Sequence, residues 1–407
     1  MKLLTFQKPN KFYFFFLAYF ISIFIRQYLN EIQLGKDDHK YKYFFRMYAT
    51  ILSHILSFIP HFISQCLSKR RERKNINKSL INYIYNSVPK KYKCKNLMKP
   101  ILIVSLFGFS SEAILSLYYA FSIRPVHNTY SLGIYSILNT VLIYIVSYYV
   151  LKTYFYKHHY LSFWINFACA IIFLIIDIIE IVKTEITEYQ YYVYILLRIL
   201  KFLLFAIRDN FAKKALYEEY LSTFALMLIM GLYEILFLAV FSAPFVFLKT
   251  KITNKNIFIE FLDFLKGKNL ILSIFVFITD FAYEAFLLII IDRFSPSHLP
   301  LAFLLSSFLY NLYFLINQYI KNYVVSYYIY LKFAFYVILF IAAMIHNEVI
   351  IINKCGFNKS TKMFLDMKLN EEIKEYKLSV DEDETEFDNQ ITLNEKTLSM
   401  EDMISID

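Results

Sequence analysis

The chain has 407 residues, is 58% hydrophobic and has a mean hydropathy of +0.45, which excludes an ordinary soluble domain of this size. Its net charge of +10 hides an asymmetry, because the stretch from Asn353 onward holds 14 acidic and 7 basic residues and the rest is strongly basic. No basic stretch is attached to a soluble fold, which argues against a nucleic-acid partner, and Cys66, Cys94, Cys169 and Cys355 are too scattered for a disulfide framework or a metal site.

A membrane helix needs about 20 mostly apolar residues. Runs that qualify lie at roughly 11–27, 43–67, 99–121, 130–152, 161–183, 191–210, 221–248, 269–291, 300–320 and 327–346. The first has no small-residue cleavage site behind it, so it reads as a span rather than a signal peptide. Between the second and third runs, loop 68–98 is crowded with Lys and Arg against a single Glu72. Such loops stay in the cytosol. An even number of spans precedes it, so the N-terminus with Lys2, Lys8 and Lys11 is cytosolic, and ten spans return the C-terminus to the same side. The loop with Lys249, Lys251, Lys255, Lys266 and Lys268 then faces outward despite its basic character. Residues 76–88 and 256–265 have the pattern of short surface helices. The acidic stretch 352–407, with Asp381–Glu386 as its densest part, is predicted to be disordered. The glycosylation-type sites at Asn77 and Asn358 fall on the cytosolic side in this topology.

Two stretches echo each other. SSEAILSLYYAFSIRPVHNTYSLGIYS runs from Ser110 to Ser136, and TDFAYEAFLLIIIDRFSPSHLPLAFLLSS from Thr279 to Ser307. Pro125, His127 and Ser136 match Pro296, His298 and Ser307 at one constant offset, and Glu112–Ala113 match Glu284–Ala285 one residue out of step. Each proline disfavours helix at the residue before it, so each stretch is helix–turn–helix. The expected fold is all-α and polytopic: ten transmembrane helices in two five-helix repeats, 1–183 and 184–351. The second starts after an odd number of spans and is inverted, an arrangement that transporters use.

Leu117–Phe163, Ala212–Val240 (AKKALYEEYLSTFALMLIMGLYEILFLAV) and Asp292–Phe308 (DRFSPSHLPLAFLLSSF) resemble the corresponding passages of the drug/metabolite transporter superfamily. The nearer likeness is to its EamA-like and nucleotide-sugar-transporter-like solute carriers. The resemblance implies ten spans over about residues 11–346, both termini in the cytosol, and alternating-access transport of a small organic solute. The lysine and glycine patterns of the sugar-nucleotide and triose-phosphate branches are missing and glycine is scarce, so neither substrate nor binding residues carry over.

Ionisable groups at membrane depth cost about 2.5–3.5 kcal/mol each on insertion scales and are functional candidates for that reason. Glu112 and Glu284 lie in equivalent helices of the two halves. A two-fold axis in the membrane plane brings them toward one cavity, as coupling groups or as neutral, hydrogen-bonded structural acids. Asp280 precedes Glu284 by one helical turn and shares its face, and Glu234 is a further candidate. Arg198, Lys201 and Arg208 form one stripe on the sixth helix, which attracts an anionic substrate if it faces the cavity. The alternative is that Arg198 and Arg208 snorkel to the two interfaces. His54, His61, His127 and His298 read as helix caps or headgroup contacts, His158–His159 as a solvated loop pair, and Tyr118, Tyr119 and Tyr283 as residues able to stack on a ring-bearing substrate. The function expected is secondary transport of a small metabolite, anionic or nucleotide/sugar-like, in an endomembrane or the plasma membrane. Partners are that solute, membrane lipids and, as one option, a second copy of the chain; no cofactor and no metal is expected. A receptor or scaffold built on the basic loop and acidic tail is the alternative. A membrane-embedded lipid-modifying enzyme lacks an HxxxxD or DxxD constellation here, and ATP-driven pumping lacks a phosphate-binding loop.

Overall fold

The computed structural model describes residues 4–6, 10–33, 39–72, 94–121, 132–153, 155–182, 188–218, 221–242, 269–320, 327–352 and 361. Its elements are β1 (Leu4–Phe6), α1 (Asn10–Gln33), α2 (His39–Leu56), α3 (Phe58–Glu72), α4 (Cys94–Phe121), α5 (Leu132–Val150), α6 (Lys157–Val182), α7 (Glu188–Glu218), α8 (Thr223–Ser242), α9 (Asn269–Arg293), α10 (Leu299–Ile320), α11 (Tyr327–His346) and β2 (Ile350–Ile352). The turn predicted around Pro125 and His127, the surface helices at 76–88 and 256–265, and nearly all of the acidic tail lie outside the described residues.

The fold is all-α. Four of its described helical stretches are long and apolar enough to cross a membrane: Met47–Cys66, Lys157–Ile176, Thr223–Phe241 and Ser273–Arg293. Shorter apolar helices cover Leu138–Val150, Pro296–Leu309 and Tyr330–His346. Their outer faces are apolar at helical spacing. Phe14, Leu17, Ile21 and Ile25 are exposed along α1, Trp164, Phe167, Ile171 and Ile175 along α6, and Ile271, Ile274 and Ile278 along α9. Polar groups face inward and satisfy themselves locally. Ser22, Ser53, Ser105 and Ser111 each bond a backbone carbonyl three or four residues back. An apolar exterior, with inward hydroxyls such as these bonded to the backbone, is what hydrocarbon demands, since it offers no hydrogen bonds.

One run expected as a single helix, 43–67, is broken at Ser57 into α2 and α3. Pro60 has no N–H to give to the carbonyl of Leu56 and its ring crowds that turn. The Ser57 hydroxyl takes up the slack, bonding the His54 carbonyl at 2.5 Å and, across to α8, the Phe224 carbonyl at 3.1 Å. Three helices also start or run on beyond expectation. α4 begins at Cys94 and continues through Pro100, α6 begins at Lys157 and takes in both His158 and His159, and α7 continues to Glu218. The last extension brings the Lys213 ammonium to the Asp292 carbonyl, 2.8 Å away at the end of α9.

Packing is dominated by α4 on α7, α1 on α9, α5 on α7 and α6 on α11. α2 sits among α4, α8 and α9, α4 also meets α8, α10 meets α1, α5 and α11, and α5 meets α6. One apolar core gathers Tyr19, Ile101, Val104, Ala212, Leu226 and Leu287, from α1, α4, α7, α8 and α9. Another gathers Phe12, Phe173, Leu301, Tyr336 and Leu339, from α1, α6, α10 and α11. The break after α9 is a single 3-10 turn, Pro296–His298, where Pro supplies the fixed φ of a first helical position. At one end of the bundle β1 pairs antiparallel with β2, Leu4 opposite Ile352 and Phe6 opposite Ile350. This short ladder joins the start of the helical body to its end and has no counterpart in the expected all-helical pattern. The compact unit containing these elements ends at Ile352, and a second unit is Asn353–Asp407.

Candidate functional site

A cluster of ionisable side chains lies inside the bundle, contributed by α1, α2, α4, α7, α8 and α9. Glu234 and Glu284 each sit near the middle of an apolar span, Thr223–Phe241 and Ser273–Arg293. Every member is at most 7% exposed. Burial of this kind is tolerated only if each charge meets an opposite one and its remaining lone pairs are used.

Four sets of pairs supply the opposite charges. The Lys201 ammonium on α7 donates to Glu112 Oε2 on α4 at 2.9 Å. The Arg26 guanidinium on α1 meets Asp280 on α9 at 2.5 Å and lies over the Tyr283 ring, 4.1 Å from its centroid. Arg208 holds its chain neighbour Asp209 at 2.8–2.9 Å through two nitrogens and reaches Glu284 with a third at 3.5 Å. His54 is shared, with Nδ1 2.6 Å from Glu234 Oε2 on α8 and Nε2 3.7 Å from Glu284 Oε2 on α9. Glu284 is thus the joint between His54 and Arg208, and the His54–Glu284–Arg208 chain crosses from α2 through α9 to α7. Tyr283, one residue before it, stacks on Tyr19 at 5.5 Å and closes the space between α1 and α9.

The cluster is not charge-balanced. The carboxyls of Glu112, Asp209, Glu234, Asp280 and Glu284 face the permanent cations of Arg26, Lys201 and Arg208 together with His54. Among these described side chains, five carboxyls face four cations even with His54 protonated. A site of this composition can hold and release a proton, or exchange a paired group for a charged solute, without leaving any ion bare.

Two glycines allow the helices to approach. A Cβ on Gly231 of α8 would stand 2.9 Å from the Cβ of His54 and 3.1 Å from the Ile55 nitrogen, so only hydrogen fits between α8 and α2 there. A Cβ on Gly108 of α4 would meet only the flexible Arg208 side chain at 3.2 Å and Glu234 Oε1 at 3.4 Å.

Among the residues singled out from sequence, Glu112, Lys201, Asp280 and Glu284 all enter the cluster, and Glu234 joins them. Arg198 is half-buried on α7, and the Tyr118 and Tyr119 side chains lie outside the described residues. Three expectations are corrected. Arg208 does not snorkel, since it is 3% exposed and bound to Asp209 and Glu284. His54 is no cap or headgroup contact, being fully buried between two carboxylates. His158 and His159 are not a solvated loop pair: they form the first turn of α6, and His158 is 3% exposed. His298 lies in the turn after α9, its Nδ1 2.7 Å from the Ser295 hydroxyl. Sequence reasoning missed Arg26 and Asp209. The available signal was their position inside or beside apolar runs, but with no partner in view each looked like a helix-end charge.

Compared with protein-family models and with curated proteins, the chain matches none, so its function is argued from geometry.

Proposed function

We propose that the chain is a secondary transporter of a small organic metabolite, built from two inverted five-helix halves that rock about the buried charge cluster. The observation that carries this is a pair of crossed ion pairs. Lys201, on the first helix of the second half, holds Glu112 on the third helix of the first half. Arg26, on the first helix of the first half, holds Asp280 on the third helix of the second. Exchanging the halves turns the helices of one pair into those of the other, although the echo matches Glu112 to Glu284, one turn beyond Asp280. The principal packing follows the same exchange, with α1 replacing α7, α2 α8, α4 α9, α5 α10 and α6 α11. Thus α4–α7 answers α9–α1, α5–α7 answers α10–α1, α2–α9 answers α8–α4, and α6–α11, α2–α8 and α5–α10 map onto themselves. The smaller α7–α9 contact has no strong answer.

Antiparallel pairing of β1 with β2 requires an even number of crossings between residues 6 and 350, which supports ten spans with both ends on one side. The basic loop 68–98 makes that side the cytosol. Alternating access follows if the two crossed pairs open in turn. Protonation of Glu112, or an anionic group competing for Lys201, releases the α4–α7 contact while Arg26–Asp280 keeps the α1–α9 contact, and the reverse opens the other side. The excess carboxyl favours proton coupling. The loose likeness to drug/metabolite transporters agrees with this but does not name the solute.

The test is a thermal-shift screen of detergent-purified protein against nucleotide sugars, nucleotides, sugar phosphates, thiamine derivatives and amines, repeated with Glu112→Gln, Glu284→Gln and Lys201→Ala. A solute that stabilises the wild type and not these variants supports the reading. Variants as stable as wild type, and no solute that stabilises any of them, overturn it in favour of a scaffold.

A further inference from the structure

Away from the charge cluster, the start of α6 and the end of α11 bring several metal-ligating groups together. His158, His159 and Glu348 each offer one ligand atom, and all of these lie within 4.8 Å of one another. His158 Nε2 is 3.4 Å from Glu348 Oε1. A tetrahedral ion with bonds of about 2.0–2.2 Å spaces its ligands roughly 3.4 Å apart, so these two already stand at the working separation. His159 must close the remaining gap. Its Nδ1 accepts the Tyr156 backbone N–H at 3.0 Å, which orients the ring but uses the lone pair of that nitrogen, so ligation falls to Nε2, whose proton the ion displaces. His346, the last residue of α11, is the neighbouring imidazole. Its ring is 4.7 Å from that of His159, it stacks on Tyr144 at 3.6 Å, and its Nδ1 is buried without a hydrogen bond.

The backbone adds an independent observation. α11 ends in a Schellman motif, with Val349 N–H bonded to the Met344 carbonyl at 2.9 Å and Glu348 N–H to the Ile345 carbonyl at 3.1 Å. The left-handed position of that motif belongs to glycine by preference. Here it carries Glu348 at φ 53°. A non-glycine residue costs backbone strain in this region, and here the carboxylate lies beside His158.

We propose that His158, His159 and Glu348 bind a divalent transition metal of the zinc class. Two imidazoles and one carboxylate form a nitrogen-rich, oxygen-completed set suited to zinc rather than to calcium or magnesium. The ion clasps α6 to α11 at the membrane face where both strands lie. Metal occupancy therefore sets how freely these two helices part.

The experiment uses full-length protein in detergent, stripped with chelator and titrated with Zn²⁺, with Co²⁺ as the spectroscopic probe. Expected are one Zn²⁺ per chain, a tetrahedral Co²⁺ spectrum and a higher melting temperature with Zn²⁺. In Glu348→Gly and His158→Gln the affinity drops by more than the roughly 10- to 100-fold that losses outside the ligand sphere cause. Glu348→Gly also separates ligation from folding. Glycine suits the left-handed position, so the metal-free variant melts at or above the wild-type temperature yet gains nothing from Zn²⁺. Absence of Zn²⁺ binding by the wild type, equal binding by Glu348→Gly, or a metal-free Glu348→Gly that melts below the metal-free wild type each overturns the proposal.

Discussion

Gly231→Ala puts the helix contact behind the cluster under a direct load. The new Cβ would lie 2.9 Å from His54 Cβ and 3.1–3.2 Å from backbone atoms of His54 and Ile55, against a usual carbon–carbon separation of about 3.5–4.0 Å. None of these is the tip of a flexible side chain, so α2 and α8 must part by roughly half an ångström, as close-packed interiors cannot absorb the excess locally. Overpacking of this kind costs about 1–3 kcal/mol. At about 2–4 °C per kcal/mol for domains of 150–250 residues, and about 1–2 °C for a larger body, the melting temperature falls by about 1–6 °C. The same movement lengthens the 2.6 Å contact between His54 and Glu234, so substrate stabilisation weakens as well. Gly108→Ala is the comparison, because the nearest atoms to its Cβ are side-chain atoms of Arg208 and Glu234 at 3.2 and 3.4 Å rather than backbone, so its loss is smaller. Melting curves in one detergent decide the matter. Gly231→Ala melting with the wild type, or Gly108→Ala falling further than Gly231→Ala, refutes the reasoning about this contact.

Three further outcomes are expected. Glu112→Gln and Lys201→Met, made singly, each leave a buried partner uncompensated and cost about 3–5 kcal/mol, while the double variant recovers most of the loss; denaturation of all four proteins measures the coupling, and additive losses contradict a direct pair. Arg26→Met leaves Asp280 buried without its cation beside the displaced Tyr283 ring, so it destabilises more than Asp280→Asn/Arg26→Met together, by the same measurement. Lys213→Met removes the donor to the Asp292 carbonyl at the end of α9 and costs about 0.5–1.5 kcal/mol, a loss that Lys213→Arg, tested in parallel, reduces.

Helices were largely legible because the apolar runs are long and the break after α9 is marked by Pro296. The break at Ser57 was hidden because Pro60 lies inside an unbroken apolar run, and nothing in sequence says whether such a proline bends a helix or divides it. Glu112, Lys201, Asp280 and Glu284 were legible as a group, since each is costly in hydrocarbon. Their partners were not. Lys201 and Glu112 are 89 positions apart and His54 and Glu234 180, and pairing over such separations is set by tertiary packing. Arg26 and Arg208 near the ends of apolar runs look like snorkelling residues until the helices around them are in place. The His158–His159 pair was misread because α6 begins one turn before its apolar run does.

Solute uptake into proteoliposomes under an imposed pH gradient decides whether the crossed pairs support alternating access. The solute found to stabilise the purified protein is used, with wild type, Glu112→Gln and Asp280→Asn side by side. Expected is uptake by the wild type that collapses when a protonophore dissipates the gradient, and little or none with either variant. Uptake absent from the wild type, or equally fast with both carboxyls neutralised, would contradict it.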